Sequence, residues 1–276
     1  MSWTGIKKAI NRAGTQVMMK AGQIDETTDK QFEFEEKRFK AMESNSVKLH
    51  KELKQYLESL RILTTAQVNV AEVLKTFYGE TDVVHERELA KEGKELRINN
   101  FSDEYYRSIK GLNDDVLSEL EGPYNQVVLN PIGRFNSYFI EINEAIKKRH
   151  NKKLDYDLMK SKLQKLIEKP SNDVEDSKLL TTKEELVKSE EVYDNLNEEL
   201  KTELPKLINL RIPFLNPSFE SFVKLQLRFF NENYKSLNEI QSNLDSRLRQ
   251  DYINGNLESR LDQVLVKMRE LNVTGN

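Results

Sequence analysis

The sequence predicts an all-α protein built from a few very long helices, and three observations carry that reading. Of 276 residues, 32% are charged and only 37% hydrophobic, a poor supply of apolar side chains for an ordinary globule. Glycine (10) and proline (6) are scarce, and no glycine falls between Gly133 and Gly255, which disfavours strands and turns. From Phe39 onward, apolar residues recur at alternating steps of three and four: Phe39, Met42, Ser46, Leu49, Leu53, Tyr56, Leu60, Leu63, Gln67, Val70, Leu74 and Phe77. Only Ser46 and Gln67 in that row are polar, so the row reads as a coiled-coil seam.

The elements follow in chain order. Residues 1–24 contain no acidic side chain, and as a helix they gather Trp3, Ile6, Ile10, Ala13 and Val17 on one stripe while Lys8 and Arg12 point away. Lys7, Lys8 and Arg12 supply the cations that a membrane-surface helix uses toward anionic lipid. Gly5, Gly14 and Gly22 each cost about 1 kcal/mol against alanine, so this segment is expected to be disordered in water and to fold on lipid. A long helix is expected from Asp25–Thr28 to Gly79, a suitable C-terminal stop. Residues 80–101 read as a polar connection. A second helical run starts near Asn100–Asp103 and continues to about Glu168, kinked rather than ended by Gly122-Pro123 and Pro131. The segment KPSNDVEDS, residues 169–177, holds dense turn chemistry and is expected to form a hairpin tip. A third helix should run from Lys178 to Arg249 through Pro205, Pro213 and Pro217. Folding the last two helices together about residue 172 sets Pro131 opposite Pro213, so both are expected to bend at one level and give a curved rod.

The expected organisation is therefore an amphipathic segment (1–24), a helical bundle (25–250) and a C-terminal segment (251–276). The last contains Leu257, Leu261, Val264, Leu265 and Met268 at helical spacing, which suits either a capping helix or a partner-binding segment.

Other functions find little support. Cysteine is absent, and His50, His85 and His150 lie too far apart for ligand spacing, so no metal or cofactor is expected. A net charge of −3 argues against nucleic acid as a partner. No phosphate loop, dinucleotide turn or nucleophile motif occurs, so no catalytic residue is assigned and the chain is expected not to be an enzyme. No run reaches the roughly 18 apolar residues of a spanning helix, nor the apolar core of a secretory signal. With no Met-Gly start and no prenylation box, a cytoplasmic protein with non-covalent membrane contact is expected. A mitochondrial presequence is the competing reading of the first 24 residues, disfavoured by a single arginine beside paired lysines.

Two further features concern partners. Lys147, Lys148, Arg149, Lys152 and Lys153 crowd cations into seven residues ahead of LDYD (154–157), and the hairpin brings them near Glu190, Glu191, Asp194, Glu198 and Glu199, which offer internal neutralisation. Phe229, Phe230, Tyr234, Leu237 and Ile240, with the first-helix seam, offer more apolar surface than a thin rod hides, so a partner chain is required.

The segments SWTGIKKAINRAGTQV, PIGRF (131–135) leading to KKRHNKKLDYD (147–157), and LKTELPKLINLRIPF (200–214) resemble the amphiphysin-type N-BAR family. Within it they are similar to the short fungal members of the reduced-viability-upon-starvation type, which lack a Src-homology-3 domain. The resemblance covers residues 1 to about 250 and implies an elongated antiparallel three-helix coiled-coil bundle (BAR domain) that forms a curved dimer. It implies membrane insertion by Trp3, Ile6, Ile10, Ala13 and Val17, and lipid-phosphate contact by Lys7, Lys8, Arg12, Lys147, Lys148, Arg149, Lys152 and Lys153. The bundle and dimer seam would comprise Phe39, Leu49, Leu53, Leu60, Leu63, Val70, Leu74, Phe77, Phe229, Tyr234 and Leu237. A longer Src-homology-3-containing paralogue is the implied heterodimer partner, a homodimer being the alternative, and actin-patch proteins are indirect partners. The implied work is endocytic vesicle scission at the plasma membrane and cortical actin sites, with links to actin organisation and cell fusion. The tip departs from the family by carrying Asp173, Glu175 and Asp176 where amphiphysins are basic, which argues against tip-first contact. A cytoskeletal coiled-coil scaffold that binds only proteins is the competing reading, and the acid-free amphipathic segment is what it leaves unexplained.

Overall fold

The computed structural model describes residues 3–89, 101–168, 173–243 and 246–271. Helices are the only regular elements among them: α1 (Trp3–Lys20), α2 (Lys30–Leu89), α3 (Phe101–Gly111), α4 (Ser118–Pro123), α5 (Asn130–Ile167), α6 (Asp173–Asn243), α7 (Ser246–Ile253) and α8 (Leu257–Arg269). Two π-helical turns, Leu112–Leu117 and Tyr124–Leu129, link α3, α4 and α5 into one run. The second ends just before Pro131, whose ring would otherwise press on the carbonyl four residues back, so the widened turn absorbs that clash. Pro205, Pro213 and Pro217 all lie inside α6, which stays continuous through them. Residues 169–172 of the expected tip lie outside the described residues, and α6 takes up Asp173 through Ser177 as helix.

Local chemistry sets the element ends. Gly22, at φ 69°, takes the left-handed conformation after α1 while the Gln23 N–H donates to the Met18 carbonyl at 2.9 Å, closing the helix. Asp29 caps α2, its Oδ1 accepting the backbone N–H groups of Gln31 and Phe32 at 3.0 Å.

The chain forms two compact units, each layered from the same three helical runs. Unit 1 comprises Met1–Leu53 and Gln126–Glu220; unit 2 comprises Lys54–Asn125 and Ser221–Asn276. In unit 1, Phe32, Phe39 and Met42 of α2 meet Phe135, Phe139 and Ile146 of α5 and Leu200, Leu204 and Ile208 of α6. Lys40 bonds Asn143 and Ser46 bonds Asn136, a descending register that makes α2 and α5 antiparallel. Phe39 and Phe139 meet edge to face at 5.8 Å, and Phe135 stacks on Phe214 at 5.3 Å. Unit 2 has smaller cores: Leu60, Leu117, Leu120 and Phe229 form one, and Ala71, Ile109 and Leu112 another. Arg61 there pairs with Glu121 at 2.5 Å and Lys75 with Asp103 at 2.8 Å, again antiparallel.

The expected seam divides. Phe39, Leu60 and Phe229 are buried and Leu53 is half-buried, whereas Leu49, Leu63, Val70, Leu74, Phe77, Tyr234 and Leu237 are exposed on the single chain. Bundle packing therefore uses only part of the row, and the remainder is surface.

Candidate membrane-binding site

The site is built around α1, which the structure holds as a formed helix docked on α5. This corrects the expectation of a disordered segment. Docking uses the polar side of the helix: Arg12 Nε and Nη2 donate to both Asp155 carboxylate oxygens at 2.8 and 2.7 Å, a forked charge-assisted pair. Gln16 bonds His150 at 3.1 Å, and Thr15 is 1% exposed. Residues 12, 15 and 16 fall together on a helical wheel, roughly opposite the apolar stripe. Trp3, Ile6, Ile10, Ala13 and Val17 accordingly stay outward, with Trp3 81% and Ile10 67% exposed.

The basic run separates by helical phase. Lys147 and Lys148 are exposed and Lys152 is half-buried, but Arg149 and Lys153, four residues apart, face inward at 5% and 7% exposure. That corrects their assignment to lipid phosphate. Arg149 donates to Asn197 Oδ1 at 2.7 Å and to the Tyr193 hydroxyl at 3.1 Å, with its guanidinium 3.5 Å from the Phe32 ring centre. Burial pushes the Arg149 pKa down. Lys153 is bound to Glu26 of the α1–α2 connection. Arg12, expected to reach phosphate, is instead occupied by Asp155.

A polar web surrounds Arg149. Asn197 donates onward to Asp29 Oδ2 at 2.7 Å, and Lys201 Nζ lies 3.3 Å from the same carboxylate. Burial resists ionisation of Asp29, but the bonds from Asn197, the Phe32 N–H and Lys201 outweigh it and hold the pKa at about 2. Asp157, fully buried, accepts the Thr27 hydroxyl at 2.5 Å, and burial raises its pKa. His150 is pushed down by burial and then by Lys153 and Arg149, which keeps its imidazole neutral at pH 7. Sequence reasoning placed acids opposite the basic run, yet the partners Arg149 finds are amide and phenol. The signal was present in the paired α6 positions Tyr193 and Asn197, four residues apart.

Among the described residues no helix is long and apolar enough to cross a membrane, and no cluster of ligand-type side chains is placed to hold a metal ion. What the site offers is an outward apolar stripe on α1, with Lys7, Lys8, Lys147 and Lys148 exposed and Lys152 half-buried, of which only Lys147 has an ion pair, a 3.4 Å contact with Glu144, among the described residues.

Antiparallel long helices packed three deep, with an amphipathic helix docked alongside, define a coiled-coil bundle class with an appended surface helix. The chain belongs to the BAR domain family, which it matches over residues 6–246. It is similar to the RVS161-like protein RVS162 of Candida albicans, 49% identical over 99% of each chain. It is also 43% identical to the regulator of cytoskeleton and endocytosis RVS161 of the same organism, covering 99% of this chain and 98% of that one. Among solved structures, the amphiphysin BAR domain from Drosophila superposes with a TM-score of 0.61 at 22% identity, covering 82% of this chain and 96% of that one.

Proposed function

We propose that the chain is a membrane-curvature protein that binds anionic lipid surfaces as a curved dimer and acts in endocytic vesicle scission. The observation that carries this reading is α1: its polar side is anchored by Arg12 to Asp155 while Trp3, Ile6, Ile10 and Val17 remain exposed. A protein-only scaffold has no use for that stripe. Burying each of those side chains at an interface contributes up to about 1.5–3 kcal/mol, and each nearby lysine about 1 kcal/mol on an anionic surface. Lys7, Lys8, Lys147, Lys148 and Lys152 are the phosphate-facing set in this reading, and Ala13 completes the stripe.

Dimer formation has its own support in unit 2. Leu63, Val70, Leu74 and Phe77 of α2 and Phe230, Tyr234 and Leu237 of α6 are all exposed, Phe77 to 68%, more apolar surface than a lone chain retains in water. A second copy or a longer Src-homology-3-containing paralogue covers that surface, and two docked helices then act together through avidity. The name of the Candida albicans relative, a regulator of cytoskeleton and endocytosis, agrees with work at cortical endocytic and actin sites, reached from the cytoplasm. Links to actin-patch proteins and cell fusion belong to the same reading.

The test is co-sedimentation with vesicles of phosphatidylcholine containing increasing phosphatidylserine, followed by negative-stain microscopy. Salt-sensitive binding and tubulation are expected, and Ile6→Glu with Ile10→Glu should cut binding at least tenfold while the helical signal holds. Equal binding by that variant would overturn the proposal.

A further inference from the structure

A groove of about 500 Å³ opens between α1, α5 and α6 within unit 1. Each helix presents one face to it. Lys7, Lys8 and Asn11 come from α1; Lys152, Asp155, Leu158 and Met159 from α5; Glu185, Lys188, Ser189 and Val192 from α6. The α6 positions follow the i, i+3, i+4, i+7 rule of a single helix face, and those of α5 run three or four apart.

The charge lining this groove is one-sided. Several cations elsewhere in the two units are compensated, as in Arg61 with Glu121, Lys75 with Asp103, Lys153 with Glu26 and Lys201 with Asp29. Lys7, Lys8, Lys152 and Lys188 converge on the groove with no ion pair among the described residues. Asp155 offers them little, because Arg12 already holds both its oxygens. That leaves Glu185 as the one carboxylate facing four ammonium groups. The floor beneath them is apolar, made by Leu158, Met159 and Val192. A cationic rim over an apolar floor is complementary to an amphiphile: a headgroup carrying more than one negative charge, joined to a hydrocarbon chain.

We infer that this groove holds a single lipid molecule whose headgroup bears a phosphomonoester, with the phosphate among Lys7, Lys8, Lys152 and Lys188 and the start of an acyl chain on Leu158, Met159 and Val192. The inference deepens the membrane-surface reading above and rests on it: the remaining lysines attract any anionic surface, whereas the groove selects one headgroup class. A phosphodiester lipid such as phosphatidylserine brings less charge to the phosphate and leaves the four cations under-compensated. A free phosphate lacks the chain that the floor receives.

The experiment titrates the full chain with monomeric dioctanoyl phosphatidic acid by calorimetry, with dioctanoyl phosphatidylserine and glycerol 3-phosphate as comparators. One phosphatidic acid per chain is expected, bound roughly tenfold more tightly than either comparator. Lys188→Glu combined with Val192→Glu, both on the exposed side of α6, should remove that preference while thermal unfolding stays unchanged. Equal affinity for phosphatidic acid and phosphatidylserine, equal affinity for glycerol 3-phosphate, or an undiminished preference in the double variant each overturns the groove. Phosphatidylserine-vesicle binding distinguishes the two levels: its presence with no phosphatidic acid preference removes the groove alone. Its absence with an intact one-to-one titration removes the wider membrane reading and supports the groove.

Discussion

Unit 1 and unit 2 are built from the same helical runs yet satisfy themselves differently. Unit 1 closes a nine-residue buried apolar cluster and places a web of Asp29, Asn197, Arg149 and Tyr193 beside it, so its centre is satisfied within the chain while Phe34, Ile140 and Phe219 stay exposed. Unit 2 buries smaller clusters and leaves Leu63, Phe77, Leu227 and Tyr234 exposed, two of them at 68% and Leu227 at 69%. Both units keep exposed apolar side chains, but the buried clusters of unit 2 are smaller, and its exposed α2 and α6 row is the one proposed for association.

That contrast makes measurable demands. The largest effect belongs to the association face: Leu63→Glu with Leu74→Glu should weaken dimerisation by on the order of 100-fold or more, seen by sedimentation equilibrium, while the helical signal of dilute protein stays unchanged. If those changes unfold the chain without first dissociating it, the surface belongs to the bundle and the contrast fails. Phe39→Ala, in unit 1, should instead cost about 3–5 kcal/mol in denaturant unfolding at any protein concentration. Arg149→Ala should cost about 2–4 kcal/mol, because Asn197 and Tyr193 lose their partner in a buried place, whereas Lys148→Ala on the outer side should change unfolding by less than about 0.5 kcal/mol. Asp155→Ala should loosen α1 by about 1–2 kcal/mol, reported by falling fluorescence anisotropy of Trp3, the one tryptophan in the chain. The smallest effect is acid-dependent. Asp29 titrates at about 2 when folded and near 4 when unfolded, so its contribution is complete above pH 4 and is lost as pH falls toward 2. Asp29→Asn should flatten the stability profile across that window while leaving the helix cap in place.

How much of this could be read from residues alone is clearest along α2. The sequence row from Phe39 to Phe77 keeps a 3.5-residue period, but an α-helix turns every 3.6, so the row drifts by about 20° per heptad. Over its length the drift reaches about 100°, enough to carry the row from the buried side at Phe39 to open surface at Phe77. Burial instead follows 18-residue steps, five whole turns: Phe39 to Leu57, Met42 to Leu60, Ser46 to Thr64. One pattern thus held two stripes, and no count of apolar residues separates them without knowing which helices pack where. The three long helical runs and the prolines' failure to end α6 were legible because hydrophobic periodicity continues across Pro205, Pro213 and Pro217. The basic run was legible as a cluster but not as a set of directions, since whether Arg149 points in or out depends on Phe32 and Tyr193, far away in sequence. The docked state of α1 was missed because its anchor, Asp155, lies 143 residues downstream of Arg12.

On the proposed membrane reading, the pairing of Arg12 with Asp155 changes the kind of event that capture would be. A free peptide must pay for fixing some eighteen residues at the moment it meets lipid, and that entropic toll slows and weakens capture. Here the winding is complete beforehand and stored in the body of the protein, so encounter would require only that a ready-made wedge turn its outward stripe into the bilayer. The rate of capture would then be set by collision and reorientation rather than by coil-to-helix conversion.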